Sequence, residues 1–332
     1  MNPFVKSLAK SLLPYQLYSE LQKPYRKVRQ FLLMKIQGMI NWCLREVNYT
    51  RKIRINDVEM RIPSIHGITC YATEPWMTGL IAKVLQEQHE AFLDVGVNVG
   101  QTLVKLKALD PHREYVGFEP NPVCVSYVQE LIKANAFENC TLFPVGLFTE
   151  DCILCLDFFS DDVTDGSASI IDKFRPDNRI YSQIFIPVFR FDSLYKFLGS
   201  KRFGIVKIDV EGAELEVVKS LLELIRRDRP IILIEVLPVY SDENAFRKNR
   251  QDELERIFAD TDFAILRVEK TRSNTYSGLR HIEKIGIHSD LTQCDYVIVP
   301  NEQLAKLQIT SDKPTNNALN LTGVPPCSTP AG

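Results

Sequence analysis

The stretch AFLDVGVNVGQT, residues 91–102, decides the fold. Its first three residues are apolar and predict a short buried strand, which ends at Asp94. Gly96 and Gly100 then bracket Asn98, and the residues after Gly100 open a predicted helix. Because glycine has no side chain, this loop lets a ligand approach the backbone closely. In a doubly wound α/β sheet, ligands bind beside the carboxyl ends of the strands, so the stretch predicts a binding site there.

The acid in front of the loop indicates which ligand is bound. A dinucleotide pyrophosphate is anionic and binds bare amides at a helix N-terminus, and Asp94 would repel it. The pattern Gly-x-Asn-x-Gly also lacks the full G-x-G-x-x-G fingerprint of dinucleotide-binding proteins. A ligand that carries an ammonium group and a sulfonium suits the carboxylate. This chemistry favours S-adenosylmethionine (SAM).

A second acid lies where a ribose is usually held. Residues 115–118 predict the next strand, and Glu119 ends it. An acid at this place commonly accepts hydrogen bonds from ribose hydroxyls. Asn121 then caps a predicted helix that has Pro122 at its first position, where the missing N–H costs nothing. The two strands together predict a nucleoside site.

Four later strands complete the pattern of the sheet. Residues 203–208 and 230–235 predict buried strands that also end in acids. The first of them leads into an amphipathic helix over residues 214–226. Strands that alternate with helices call for a parallel sheet covered on both faces. Two late strands, near 263–268 and 296–299, are expected to close it.

These motifs resemble those of the FkbM-type family of SAM-dependent methyltransferases. The resemblance rests on FLDVGVNVGQT, GFEPNP, VKIDVEGAELEVVKS and IILIEV, in that order, and spans roughly residues 70–300. It implies a Rossmann-like class I methyltransferase fold, with a mostly parallel seven-stranded sheet and an antiparallel edge strand. It also implies SAM as the cofactor and O-methylation of a hydroxyl on a sugar or another small metabolite.

The resemblance assigns roles residue by residue. Asp209 and Glu211 would face the methyl-transfer region as catalytic residues, and Glu235 would end the next strand. The cofactor-binding residues that it implies are Asp94, Gly96, Asn98, Gly100, Thr102, Glu119, Pro120, Asn121 and Gly146.

Methyl transfer asks for alignment of the reacting atoms and for a group that removes the hydroxyl proton. Asp209 is the first candidate for that base, since the neighbouring Glu211 would raise its proton affinity. The alternative reading, of equal weight, is that the two acids only begin the helix that follows. The cysteines and histidines form no ligand pattern, so no metal is expected.

The chain divides into three predicted parts. Residues 1–70 form a basic, helical N-terminal arm with a short strand, residues 71–302 the methyltransferase domain, and residues 303–332 a disordered tail. Residues 1–54 hold eleven Lys or Arg against two Glu, a net charge of +9. We expect the arm to pack on its own domain or on a second subunit of a homodimer, ahead of peripheral contact with an acidic membrane surface.

Composition sets the remaining expectations. The 332 residues are 45% hydrophobic with a net charge of −2, which gives no reason to expect a nucleic-acid partner. Eight scattered cysteines suit free thiols in a reducing cytoplasm. The turn-rich segment 160–182 is expected to lie over the ligand edge and to contact a small-molecule or glycan acceptor. Two rival functions stay open: a dinucleotide-dependent oxidoreductase and a non-catalytic SAM-binding adaptor.

Overall fold

The computed structural model describes residues 47–307. In chain order the strands are β1 (Tyr49–Ile55), β2 (Val58–Ile65), β3 (Ile68–Thr69), β4 (Ala91–Val95), β5 (Tyr115–Phe118), β6 (Cys140–Phe143), β7 (Gly146–Leu147), β8 (Cys152–Phe158), β9 (Ser182–Phe189), β10 (Phe203–Ile208), β11 (Ile231–Glu235), β12 (Phe263–Lys270), β13 (Tyr276–Ile282) and β14 (Asp295–Pro300). The helices are α1 (Pro75–Leu85), α2 (Gln101–Leu109), α3 (Pro122–Asn135), α4 (Phe191–Tyr195), α5 (Glu214–Ser220), α6 (Leu222–Asp228) and α7 (Ala245–Asp260), with short 3-10 helices at Leu291–Gln293 and Asn301–Lys306.

Eight strands form the central sheet, in the order β13-β12-β14-β11-β10-β4-β5-β6. From β6 to β11 all neighbours are parallel. β14 is antiparallel to both β11 and β12, and β13 is antiparallel to β12. The predicted α/β class with a mostly parallel sheet is confirmed. The eighth strand, β13, was not predicted; it forms the antiparallel edge of the sheet, whereas the other antiparallel strand, β14, lies inside it between β11 and β12.

Both faces of the sheet are covered, as the apolar strand sequences require. Successive side chains of a strand point to opposite faces, so Phe92 packs under α1–α3 while Leu93 packs under α5–α7. This is why all five residues of β4 are buried. The helix predicted over residues 214–226 is divided at Leu221, whose backbone leaves the helical region with φ −91° and ψ 3°.

The segment before the central sheet contains more strand than the sequence indicated. β1, β2 and β3 form an antiparallel sheet of their own, where one short strand was predicted. The sheet is attached to α3 by Tyr127, whose hydroxyl donates to the Pro63 carbonyl at 2.8 Å and accepts from the Cys70 N–H at 2.6 Å. The predicted helical arm before it and residues 308–332 of the predicted tail lie outside the described residues, whereas residues 303–306 belong to the 3-10 helix Asn301–Lys306 and Leu307 is buried.

No helix within residues 47–307 has the length and apolar character that a bilayer crossing needs.

Candidate active site

The carboxyl ends of β4, β5, β10 and β11 open into one cavity of about 330 Å³. Of the eleven residues assigned to the site from sequence, nine line this cavity: Gly96, Asn98, Thr102, Glu119, Pro120, Asn121, Gly146, Asp209 and Glu211. The remaining two, Asp94 and Gly100, lie behind its wall. The structure therefore brings most of the predicted site together. Asp94, the acid from which the ligand was inferred, does not line the cavity.

Gly96 lets the loop after β4 pass tightly against the end of β10. Its φ is +86°, a left-handed conformation that favours glycine. A Cβ atom at this position would lie 1.8 Å from the carbonyl oxygen of Asp209. No side chain of any size fits there, so the glycine is required by the backbone itself and brings the Asp209 strand end beside the loop.

Asp94 is fully buried and held by two partners. Its Oδ2 accepts a hydrogen bond of 2.7 Å from the Tyr115 hydroxyl, and its Oδ1 lies 3.3 Å from the Lys207 Nζ. Burial raises the pKa of Asp94, and the ammonium of Lys207 offsets part of that increase. Asp94 therefore lies behind the cavity wall, where Tyr115 and Lys207 hold its carboxylate.

Lys207 links this buried acid to the cavity. Its Nζ donates to the Gly96 carbonyl at 2.8 Å and lies 3.3 Å from the Asp209 Oδ2. Burial lowers the pKa of Lys207, but the carboxylates of Asp209 and Asp94 raise it by more. Sequence reasoning missed this residue, although a lysine within the apolar run FGIVKI was a visible signal that its charge needs buried partners.

Glu119 is fixed by the backbone of the two loops that flank it. Its Oε2 accepts from the Asn98 N–H at 2.7 Å, and its Oε1 accepts from the Asn121 N–H at 2.8 Å. Burial raises the pKa of Glu119 to about 7, against the lowering effect of these two hydrogen bonds. Each carboxylate oxygen has further acceptor capacity. The carboxylate is therefore oriented before any ligand enters.

The turn-rich loop after β8 is attached to the same edge. The side-chain amide of Asn98 donates to the Thr164 carbonyl at 3.1 Å, and that of Asn121 donates to the Val163 carbonyl at 2.8 Å. Asp165 accepts hydrogen bonds from the backbone N–H groups of residues 159 and 160. The loop lines the cavity with Asp165, Gly166, Ala168 and Ile170. Its predicted position over the ligand edge is confirmed.

Glu211 belongs to the acids at the ends of β10 and β11. Its Oε2 forms an ion pair of 2.5 Å with the Arg175 guanidinium. Burial and the nearby Asp209 raise the pKa of Glu211 to about 7, while Arg175 lowers it. Arg175 follows the loop that lines the cavity, so this pair connects the segment after that loop to the end of β10.

Glu235 has a different environment. It pairs in register with Asp295 across β11 and β14 and lines the cavity. Its carboxyl group forms no hydrogen bond or ion pair with any residue between 47 and 307. Burial, then the charges of Asp209 and Asp295, raise its pKa to about 9.

Two residues just before α1 line the cavity although no sequence motif predicted them. Glu74 lines the cavity and caps α1 in a left-handed conformation, with φ 53°. Its carboxylate lies 3.5 Å from the Nζ of the buried Lys105. Thr73 also lines the cavity and donates a hydrogen bond to the side chain of Gln101. The short segment matched no sequence pattern, because its role depends on contacts made by the fold.

The charges of the lining residues determine which kind of ligand the cavity favours. Six lining residues carry carboxyl groups, and Lys207 supplies the one cationic side chain among the lining residues that the structure describes. A low-dielectric cleft lined by one sign of charge concentrates ligands of the opposite sign. The cavity favours a cation and disfavours a phosphate chain. In the described part of the chain, no group of His, Cys, Asp or Glu side chains is placed to hold a metal ion.

The order of the strands, with an antiparallel strand inserted beside the parallel ones and acids at the strand ends, defines the Rossmann-like class I methyltransferase fold. Residues 94–277 match the family described as the methyltransferase FkbM domain. Because this match covers more than half of the chain, the protein belongs to the FkbM methyltransferase family.

Individual relatives are more distant. "Methyltransferase 1" of Beauveria bassiana (strain ARSEF 2860) is 27% identical over 143 residues, which are 39% of this chain and 57% of that protein. The chain thus matches just over half the length of this curated relative.

Solved structures show a similar distance. The FkbM methyltransferase of Methylobacillus flagellatus KT matches with a TM-score of 0.39 and 15% identity, over 63% of this chain and 43% of that one. An O-methyltransferase of Bacillus cereus, solved with SAH, matches with a TM-score of 0.39 and 13% identity, over 68% of this chain and 81% of that one.

Proposed function

We propose that the protein is a SAM-dependent methyltransferase that methylates a hydroxyl of a sugar or another small metabolite. The observation that carries this proposal is the acidic cavity of about 330 Å³ at the carboxyl ends of the strands. Its size falls within the range of small-molecule sites, and its lining suits a cationic nucleoside. Membership of the FkbM family supports the same reaction.

The residues present fit the cofactor. The carboxylate of Glu119, fixed by two backbone N–H groups, suits ribose hydroxyls as an acceptor. Gly96 lines the cavity without a side chain, and its loop packs closely against the Asp209 carbonyl. Gly146 and the loop residue Ile170 add apolar wall for a base. Asp94 supports this site through Lys207 without lining it.

The reaction requires mainly the alignment of the reacting atoms and a group that accepts one proton. When bound, SAM supplies an electrophilic methyl group on a positively charged sulfur, which keeps the carbon–sulfur bonding pair as the acceptor oxygen bonds the carbon. Asp209 lies at the cavity edge with 38% of its side chain exposed, and Lys207 fixes its orientation at 3.3 Å. Asp209 is therefore placed to orient the acceptor hydroxyl by a charge-assisted hydrogen bond. The loop at residues 165–170 covers the cavity and restricts the access of water.

Both rival functions make different demands on the cavity. A dinucleotide-dependent oxidoreductase needs a site that favours a pyrophosphate, which the excess of acidic over basic residues in the lining opposes. A non-catalytic adaptor needs no acid exposed to the cavity, whereas Asp209 lines it with 38% of its side chain exposed.

The test uses SAM labelled in its methyl group, incubated with the protein and with metabolite extracts of its own cell. We expect label in a hydroxyl-bearing metabolite. Asp209→Asn should keep SAM affinity and lose about a hundredfold or more of the transfer rate, because the hydroxyl loses its charged partner. Asp192→Asn, an exposed acid on α4, is the matched control.

Three results would contradict the proposal. Bound SAM with no labelled product in any extract would favour the adaptor. Reduction or oxidation of a nicotinamide cofactor would favour the oxidoreductase. Transfer by Asp209→Asn at the wild-type rate would remove Asp209 from the mechanism.

A further inference from the structure

Each of the four acids around Glu235 lies close to a basic side chain. Asp209 lies 3.3 Å from Lys207, Glu211 lies 2.5 Å from Arg175, and Glu74 lies 3.5 Å from Lys105. Asp295 forms an ion pair with Lys270, which also lies over the Trp76 ring.

Glu235 has no such partner among the described residues, although it lies at the centre of this group. It is faced by Asp209 and Glu211 from β10 and the loop after it, by Asp295 from β14, and by Glu74 from the start of α1. Lys207 on β10 and Lys270 on β12 are already paired, Lys207 with Asp94 and Asp209 and Lys270 with Asp295. Within this group of five acids, the carboxyl group without a described counter-ion is thus the one that the other four face.

Glu235 also lines two adjoining cavities, as do Glu74, Met77, Lys207 and Asp209. It lines the main cavity of about 330 Å³ and an adjoining one of about 20 Å³, which it shares with Asp295 and Tyr296. The smaller cavity has room for one water molecule. The carboxyl group therefore has a hydrogen-bonding position on one side and the ligand space on the other.

Resting on the proposed function, we propose that Glu235 is the acid–base residue of the site: its carboxyl group is protonated in the free protein and gives up that proton when the positively charged methyl donor occupies the cavity. The carboxylate formed then takes the proton of the acceptor hydroxyl during transfer. Overall, Glu235 releases one proton to solvent on donor binding and receives one from the acceptor, so the site returns to its starting state.

The physical cause is a change in local charge. Burial and four neighbouring carboxyl groups disfavour the ionised form of Glu235 in the free protein. A positive charge in the cavity favours that form. The cavity thus produces its base only when the donor is present, and Asp209, already paired with Lys207, orients the acceptor.

The test compares SAM with S-adenosylhomocysteine (SAH), which has the same shape without the sulfonium charge or the methyl group. Calorimetric titrations of the full chain between pH 6 and 8, in two buffers of different ionisation enthalpy, measure affinity and proton release. We expect SAM, and not SAH, to release up to about one proton from the site, so that the SAM-to-SAH affinity ratio rises by up to about tenfold per pH unit. Glu235→Gln should show a weaker pH dependence of this ratio, and what remains belongs to Glu119 and Glu211, whose pKa values of about 7 also lie in this range.

The control variant is Glu269→Gln on β12, whose acid is paired with Arg280 outside the cavity. It should behave as the wild type does. Equal proton release by SAM and SAH, or an unchanged pH dependence in Glu235→Gln, would overturn the assignment of Glu235 while leaving the proposed function standing. A wild-type protein that binds neither ligand would overturn both.

Discussion

Lys207→Met tests the buried charge network that supports the cavity. The substitution keeps the length of the side chain and removes the ammonium, which lies 3.3 Å from the Asp94 Oδ1 and donates to the Gly96 carbonyl at 2.8 Å. Asp94, with 0% exposure, keeps only the hydrogen bond from Tyr115. Removing one partner of a buried ion pair costs about 3–5 kcal/mol, since the other charge stays buried and uncompensated. That cost is a large share of the stability of an ordinary domain.

The cost depends on pH in a direction that the structure fixes. Without Lys207, the pKa of Asp94 in the folded protein rises further above its ordinary value of 3.8. A carboxyl group whose pKa is higher in the folded than in the unfolded protein lowers the free energy of unfolding as the pH rises between the two pKa values. Lys207→Met should therefore cost most at pH 7–8 and least near pH 4. Replacing Asp94 by Asn in the same protein should recover most of the loss, because no buried charge remains.

Urea unfolding of four proteins measures this: the wild type, Lys207→Met, the double variant Asp94→Asn/Lys207→Met, and Lys201→Met as control. Lys201 forms a surface ion pair with Glu114, so its loss should change the free energy of unfolding by less than about 1 kcal/mol. A cost for Lys207→Met below about 1 kcal/mol at pH 7 would refute the reasoning. So would a double variant as unstable as the single one.

Two further substitutions test the backbone and the unpaired acid. Gly96→Ala should lower the free energy of unfolding by about 2–4 kcal/mol in urea titrations, because its Cβ would lie 1.8 Å from the Asp209 carbonyl and its φ is +86°. Gly166→Ala is the control and should change that free energy little, because nothing lies within 4 Å of its Cβ. Equal effects of the two substitutions would contradict the geometry. Glu235→Gln should leave the melting temperature unchanged near pH 4 and raise it increasingly as the pH rises from 4.5 towards 9, because the folded pKa of Glu235 is raised over that interval and the wild type loses stability across it. A stabilisation that is the same at every pH would contradict the charge argument.

The sequence was most informative where a property is local. The run of apolar residues before Asp94 predicted β4, because a strand buried on both faces must be apolar throughout. Asn121 was predicted to cap α3, and its side chain accepts a hydrogen bond from the Val123 N–H at 3.0 Å. The acids at the strand ends followed from the rule that ligands bind at that edge.

The sequence could not show which of these acids are paired. Lys207 neutralises Asp94 only because β10 lies beside β4 in the sheet, and Arg175 reaches Glu211 only because the loop folds back over the cavity. Asp94 consequently lies behind the wall, where a local pattern had placed it in contact with the ligand. The strand β13 escaped prediction because YSGLRHI has no regular alternation of buried and exposed residues.

The central claim is that the cavity binds a cationic methyl donor, and calorimetric titration with SAM and NAD tests it most directly. We expect SAM to bind with a Kd of about 1–100 µM and NAD to bind no more tightly than about 1 mM. Glu119→Gln places an amide against the N–H groups of Asn98 and Asn121, so it should weaken SAM binding by about ten- to a hundredfold. Glu114→Gln, at the opposite end of β5, should not. NAD binding tighter than SAM, or Glu119→Gln binding SAM as the wild type does, would contradict the account.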